Sequence, residues 1–295
     1  MKKTQLFGAT LLSVMALGAL QTTTFAAEIV TQTLSPTAGV QFIPDDSTTP
    51  PVDPENPDPT DPVDPTDPET GGPDEPGGNK GPLSLDYASK LYFGVNKISS
   101  QDKVYFANAQ TFQNKPDAKP VYAQVTDNTG ELAGWSLTVK QNGQFKTAEG
   151  DELKGATITF DKGHSETKVD ASENPADKVL DFIKADQFVL AADGSGDAVK
   201  VLEASKGQGA GTYTYYNGST TDGDIVEGTD YEKDQDGNLV LDQDGNPTEK
   251  KVMKDKAVFL SVPGASTKLA KKYSTTLTWT LSNVPTDEEG TNPEA

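Results

Sequence analysis

The 295-residue chain contains no cysteine and no arginine, and it has one histidine. Without cysteine there is no disulfide bond, no zinc–thiolate site and no cysteine nucleophile. Without arginine the chain lacks the planar group that binds phosphates and carboxylates through two parallel hydrogen bonds. These absences exclude cysteine-based catalysis and disulfide-stabilised folds.

Positive charge is also scarce, since 45 acidic residues against 25 lysines give a formal net charge of −20. Such a chain repels nucleic acid and anionic lipid, so neither is expected as a partner. The acidity is uneven. Residues 222–255 hold eleven acidic residues against four lysines, whereas the rest of residues 83–285 holds eighteen of each. We therefore expect a domain body that is neutral by count.

Sequence motifs for catalysis are missing too. The single histidine, His164, lies in a polar stretch that is typical of a solvated loop. Two Ser-x-x-Lys matches, at residues 100–103 and 165–168, lack the companion motifs of the enzymes that use them. There is no nucleophile elbow and no phosphate-binding loop. Scattered carboxylates leave a glycosidase pair conceivable, but nothing favours one. We predict a protein that is not an enzyme, with no catalytic residue and no cofactor.

The first 26 residues have the pattern of a secretory signal peptide. Lys2 and Lys3 precede an apolar stretch at residues 6–20, and small residues suit cleavage after Ala26. The apolar stretch is too short for a stable membrane span. Residues 286–295 form an acidic tail with no hydrophobic or sortase-type anchor signal. We expect a secreted protein that is retained at the cell surface without a covalent anchor.

Two segments separate the signal peptide from the main domain. Residues 27–44 alternate β-forming and polar residues and predict a short N-terminal β segment. Residues 45–82 are rich in Asp-Pro pairs and contain hardly any basic residue. Such a composition cannot build a core by itself and predicts a disordered, extended spacer stiffened by charge repulsion.

Residues 83–285 predict an all-β, β-sandwich-like domain. They contain many short runs of β-branched and aromatic residues that are bounded by Gly, Asn, Asp or Pro. A helical period occurs only weakly, at residues 175–184. The clearest runs lie at residues 104–107, 121–126, 135–139, 156–160, 187–191, 212–216, 258–262 and 275–281.

Both tryptophans of the chain occur in a Trp-x-Leu motif, Trp135-Ser136-Leu137 and Trp279-Thr280-Leu281. The flanking residues alternate, so each Trp and its Leu share one face of a strand. One interpretation, favoured by the periodicity, is that all four are core residues. The alternative is that the two indoles form an apolar platform for sugar rings. Both can hold if the strands lie at one edge of the sandwich.

With these two motifs and the segments around them, the chain resembles the WxL-domain surface proteins of Gram-positive bacteria. The resemblance rests on the order of the segments, on Gly81-Pro82-Leu83-Ser84-Leu85-Asp86-Tyr87, and on the two motif strands, the second just before the C-terminus. It covers essentially the whole chain. A single Trp-x-Leu would mean nothing, but two in this order are specific.

The resemblance implies a cell-wall-binding domain at residues 83–285 that attaches non-covalently to peptidoglycan. Trp135, Ser136, Leu137, Trp279, Thr280 and Leu281 would then be the wall-binding motif. It also implies partners on the cell surface, namely other WxL proteins and membrane-anchored WxL-interacting proteins. An alternative is a host-facing adhesin that binds extracellular matrix through the acidic insertion at residues 222–255.

The insertion contains two Asp-x-Asp-Gly-Asn repeats that suggest weak calcium ligands, Asp234 with Asp236 and Asp242 with Asp244. An EF-hand loop needs Gly at its sixth position and Glu at its twelfth, and neither repeat has them. Asp-Gly-Asn is also a common tight-turn sequence. We therefore favour two turns over a metal site.

Overall fold

A computed structural model of the chain describes residues 32–74, 78–168, 186–234 and 237–283. The predicted signal peptide, the weak helical period and the acidic tail lie outside these residues. The chain divides into two units, residues 1–41 and residues 42–295. In the first unit, residues 32–41 form no strand, and Leu34 and Val40 are 95% and 80% exposed. The predicted β segment at 27–44 therefore has no strand in its described part.

The second unit is all-β over its described residues, as predicted from the short β-branched runs. No helix long and apolar enough to cross a bilayer occurs among the residues described. The strands are β1 (Leu83–Ala88), β2 (Lys103–Asn108), β3 (Tyr122–Asp127), β4 (Trp135–Gln141), β5 (Thr157–Phe160), β6 (Gly163–Thr167), β7 (Phe188–Val189), β8 (Val199–Ala204), β9 (Gly211–Asn217), β10 (Ile225–Tyr231), β11 (Glu249–Val262) and β12 (Leu277–Ser282).

These strands form three antiparallel sheets. The tyrosine sheet has the order β1-β3-β9-β6, and the motif sheet has the order β12-β4-β8. The long-strand sheet has the order β10-β11-β5-β7, and β2 also pairs with β11. The pairing of β11 with β2 shifts register between Asp255 and Phe259. This shift lies between the part of β11 that pairs with β10 and the part that pairs with β5.

One hydrophobic core joins the inner faces of all three sheets. Its largest fully buried side chains are aromatic: Trp135 from the motif sheet, Tyr213 and Tyr215 from the tyrosine sheet, and Phe160 from the long-strand sheet. Burying a side chain of this size contributes about 1.5–3 kcal/mol or more to folding. The predicted sandwich-like, all-β class is thus confirmed.

Residues 50–74, which we call the strap, lie across the outer face of the tyrosine sheet. The Val52 amide donates to Gln124 Oε1 at 2.8 Å, and Gln124 Nε2 donates to the Pro50 carbonyl at 3.0 Å. The Thr214 hydroxyl donates to the Pro54 carbonyl at 2.7 Å. Val52 and Val63 are 0% and 2% exposed. Val63 belongs to a second hydrophobic cluster with Tyr87, Phe112, Tyr122 and Tyr216.

The strap's carboxylates pair with lysines of the domain body. Lys119 binds Asp53 and Glu55 at 3.1 and 3.0 Å. Glu69 binds Lys233 and Lys272 at 2.8 and 2.7 Å. The expectation of an extended spacer at residues 45–82 is therefore wrong for residues 50–74. That expectation considered only the basic residues inside the segment, whereas the lysines that neutralise its carboxylates lie elsewhere in the chain. Prolines also suit such a strap, because they have no N–H group that needs a partner.

One further expectation is corrected by the strands. His164 lies on β6, not in a solvated loop, and its ring stacks on Tyr216 with the centroids 5.3 Å apart. The acidic insertion at residues 222–255 supplies β10 and the first half of β11, which pair from Ile225 opposite Asp255 to Tyr231 opposite Glu249. It is therefore a regular part of the long-strand sheet.

We predict that the strap stabilises the domain through its two buried valines. Val52→Ala and Val63→Ala should each lower the free energy of unfolding by about 2 kcal/mol, from lost burial plus the cavity left behind. The matched control is Val40→Ala, at an exposed valine, which should change it by less than about 0.5 kcal/mol. Urea unfolding measures all three, and equal, negligible effects would show that the strap does not contribute to stability.

Candidate functional site

The two Trp-x-Leu motifs lie side by side on paired strands of the motif sheet. Strands β4 and β12 run antiparallel, with Leu281 directly opposite Leu137 and Trp279 opposite Val139. On its other side β4 pairs with β8, where Trp135 lies opposite Ala204. Residues more than a hundred positions apart in the sequence thus form one continuous strip. The sequence predicted the face of each motif but not that the two strands pair.

Trp135 is a core residue. Its side chain is 0% exposed, and its ring meets Tyr213 edge-on with the centroids 5.5 Å apart. The indole Nε1–H donates to the Gly209 carbonyl at 2.9 Å. Gly209 has a φ of +90°, and a Cβ atom there would collide with the Trp135 indole and with Ala204. This glycine is needed for the seat of the tryptophan, and the sequence analysis did not identify it.

Trp279 is half-buried, because β12 is the edge strand of the motif sheet. Its ring lies 6.4 Å from that of Tyr215 and packs against the same core. A crevice beside it, lined also by Leu277 and Phe160, has a volume of about 10 Å³. That volume is no larger than one water molecule needs, so no sugar ring enters there.

The tyrosines behind the indoles pack against the motif sheet. Tyr213 and Tyr215 are two residues apart on β9, so both face the motif sheet. Burial raises the pKa of Tyr215 well above its ordinary value, although the Asn217 amide, which donates to the phenol oxygen at 3.2 Å, partly opposes this. The Tyr215 phenol therefore stays neutral at physiological pH.

The geometry separates the two interpretations of the motifs. Trp135 and Leu137 are both 0% exposed, as the core interpretation predicts. A platform for sugar rings does not fit Trp135, because no face of its indole is open. Trp279 and Leu281 are partly buried on an edge strand, so only this second motif combines core packing with some exposure.

The other face of the same sheet is polar. We call it the outer motif face, and it contains the middle residue of each motif, Ser136 and Thr280. Directly paired residues share a face, which places Lys140 beside Thr278 and Thr138 beside Thr280. Thr278 and Thr280 are exposed, whereas Ser136 is covered at 1% exposure. The complete face comprises Ser136, Thr138 and Lys140 of β4, Thr278, Thr280 and Ser282 of β12, and Lys200 and Glu203 of β8.

Two polar contacts organise the outer motif face. The Asn142 amide, just beyond β4, donates to the hydroxyls of Thr276 and Thr278 at 3.0 and 2.8 Å. On β8, Lys200 Nζ lies 3.1 Å from Glu203 Oε1, so the face's carboxylate is paired. The face therefore presents hydroxyl groups, an amide and lysines.

The weak calcium candidates lie in two tight turns. Asn246 and Asp244 donate their backbone N–H groups to Asp242 Oδ1, both at 2.9 Å. Those bonds hold the pKa of Asp242 below its ordinary value. Asp234 accepts from the Asn238 N–H at 2.8 Å in the same manner. The described part of the chain has no cluster of three or more candidate ligand side chains, and Asp236 lies outside it. These hydrogen bonds agree with the turn interpretation, and the absence of a metal site stays a prediction.

We predict that the lack of a side chain at Gly209 leaves the space that the Trp135 indole occupies. Gly209→Ala should lower the free energy of unfolding by about 3 kcal/mol, about 1 from the left-handed φ and the remainder from the collision. Gly207→Ala is the matched control, because its φ is +91° and no atom lies within 4 Å of an added Cβ. The control should lose only about 1 kcal/mol in urea unfolding. Equal losses would mean that the indole does not depend on this contact.

Comparison with protein families agrees with the geometry. A family model described as a WxL domain, surface and cell wall-binding, matches residues 30–285. No curated protein and no solved structure matches the chain. The matched range includes the strap as well as both motif strands, so the family pattern extends beyond the predicted domain at 83–285. The chain belongs to the family of WxL-domain proteins, which bind the cell wall at the cell surface.

Proposed function

We propose that this protein attaches non-covalently to peptidoglycan through the motif sheet and acts there as a secreted structural protein. The observation that carries the proposal is the pairing of β4 with β12, which joins both motifs in one sheet with a buried and an open face. The family membership supports attachment to the wall. The chemistry of the exposed groups supports a carbohydrate ligand, because hydroxyl and amide groups bind sugars by hydrogen bonds.

In this proposal the tryptophans and leucines act mainly by fixing the sheet. Truncating a buried aromatic residue commonly costs about 3–5 kcal/mol, so loss of Trp135 would disrupt the sheet and any binding surface on it. A motif of core residues can thus determine wall attachment without touching the wall. We further propose that the protein is not an enzyme, because its only histidine stacks on Tyr216, as a packing residue does.

We predict that the full protein sediments with washed, enzyme-free sacculi and is released intact by denaturant. Gly209→Ala, which disturbs the seat of Trp135, should bind at least tenfold more weakly, whereas Gly207→Ala should bind as the wild type does. Circular dichroism reports the fold of each variant, and assay of the supernatant for released muropeptides tests for hydrolysis. Wild-type protein that stays in the supernatant would contradict wall attachment, and released muropeptides would contradict a non-catalytic role.

We also propose assembly with other WxL-domain and WxL-interacting proteins, supported by an apolar stripe on the long-strand sheet. Phe106, Phe259, Thr159 and Val189 form one row across four strands on its outward face. Val189 and Phe106 are 54% and 38% exposed, and Val104, two residues from Phe106 on the same face, is 52% exposed. Exposed apolar side chains grouped on one face, such as Phe106, Val104 and Val189, are typical of a protein–protein contact surface.

Phe106→Glu should weaken association with a WxL-domain partner at least tenfold and leave sacculus binding unchanged, since the stripe and the motif sheet are different surfaces. Val40→Glu, at an exposed valine outside the stripe, is the control. Affinity capture from solubilised envelopes of a WxL-producing bacterium, scored only for WxL-domain and WxL-interacting proteins, measures the effect. Equal capture by the wild type and Phe106→Glu would exclude the stripe as the contact.

The host-facing alternative stays a prediction from the sequence. Its proposed surface, residues 222–255, folds as a regular hairpin of β10 and β11 whose turn carboxylates bond within the turns. No contact in the hairpin favours binding to extracellular matrix over wall attachment. Transfer of the hairpin to an unrelated scaffold and a matrix-binding assay would test it.

A further inference from the structure

We propose that the outer motif face binds the glycan strand of peptidoglycan directly, through the hydroxyls of Thr138, Thr278 and Thr280. The inference rests on the proposed function and names the part of the site that meets the ligand. It moves the contact from the tryptophans to the opposite face of the same strands.

Burial selects this face over the indole side. Trp135 and Leu137 are 0% exposed, and the crevice beside Trp279 has a volume of about 10 Å³. A glycan strand is far too large for that opening. On the other side of β12 the hydroxyls of Thr278 and Thr280 are exposed, and Thr138 lies directly opposite Thr280. The face that can reach a polymer is therefore the hydroxyl face.

The spacing of the hydroxyls suits a polyol. Residues i and i+2 on one strand lie about 6.8 Å apart, and neighbouring strands lie about 4.8 Å apart. The hydroxyls of Thr278, Thr280 and Thr138 therefore form a shallow grid. Thr278 already donates to Asn142 Oδ1 at 3.2 Å and Thr138 to the Thr280 carbonyl at 3.5 Å, so these two offer a glycan acceptor lone pairs. Asn142 holds the Thr278 hydroxyl with its amide at 2.8 Å, which orders one corner of the grid. Hydroxyl and acetamido groups of a glycan can bond to such a grid across an open, flat surface.

Charge points to the same face. The chain carries a net charge of −20, so the acid-rich parts of its surface are repelled by an anionic wall. Among the described residues of the outer motif face, the only carboxylate is Glu203, which Lys200 neutralises at 3.1 Å. Lys140 has no ion-pair partner among the described residues and lies beside Thr278. This acid-poor patch can approach an anionic wall with little repulsion.

The same charges favour the glycan over an anionic wall polymer. A polyanion is held by several unpaired cations, whereas this face offers Lys140 alone besides the paired Lys200. Hydroxyls outnumber cations on the face, and hydroxyls select a neutral polyol. We therefore infer that the ligand is the sugar backbone of peptidoglycan. Lys140 is placed to bind a carboxylate of the substituents on that backbone.

The decisive variant is Thr278→Val combined with Thr280→Val. Valine keeps the shape and the β propensity of threonine and removes only the hydroxyl. Binding to washed sacculi should fall at least tenfold, while circular dichroism and the urea midpoint stay unchanged. The matched control is Thr229→Val combined with Thr248→Val, on the β10–β11 hairpin, which should bind as the wild type does. Thr138→Val provides an independent variant on β4 with an expected loss of at least threefold.

Two kinds of sacculi distinguish the glycan from the anionic wall polymers as the ligand. One kind keeps its anionic polymers, and the other has lost them by treatment with hydrofluoric acid. Equal wild-type binding to both supports the glycan, and binding only to untreated sacculi would overturn the assignment. If the wild type binds and the folded Thr278/Thr280 double variant binds equally well, the hydroxyl face is excluded while wall attachment stands. If the wild type itself does not bind, the proposed function fails.

Discussion

The antiparallel pairing of β4 with β12 is the constraint on which the rest of the domain depends. It sets Leu281 against Leu137 and aligns the two indoles with Tyr215 and Tyr213 of the opposing sheet. Without β12, the inner face of β4 at Val139 would lose its neighbour and be opened to water. A strand from the end of the domain therefore completes a core built by its middle.

The strap shows the same dependence on distant partners. Val52 is buried only because Gln124 accepts its amide proton and donates to Pro50, and Gln124 itself is 0% exposed. Asp86 lies beside this contact. Burial raises the pKa of its carboxyl group, and hydrogen bonds from Ser84 and Thr126 partly oppose that rise. A buried polar layer of this kind is stable only if each group is satisfied, so the strap and the sheet specify each other. The acidic, proline-rich segment thus forms part of the domain.

The sequence could predict what is local. Strict alternation around Trp135 and Trp279 gave the correct inner face of each strand, and β-branched runs located most of the strands. Pairing partners could not be predicted, because a period of two is the same whichever strand lies alongside. The strand β8 lacks clean alternation because its register shifts at the bulge opposite Leu137 and Thr138. The strap was missed because its neutralising lysines, such as Lys119, lie outside the segment.

The same alternation explains how a core motif can serve a surface function. In a strand the middle residue of Trp-x-Leu must point away from its neighbours, so a buried Trp and Leu fix an outward side chain between them. When two such strands pair, two outward side chains become neighbours, as Thr280 and Thr138 do. The buried pair Leu281 and Leu137 fixes the register of the two strands from the inner face. The tryptophans need not reach a ligand for their loss to abolish binding. It is enough that they hold rigid the surface on the other side of the sheet.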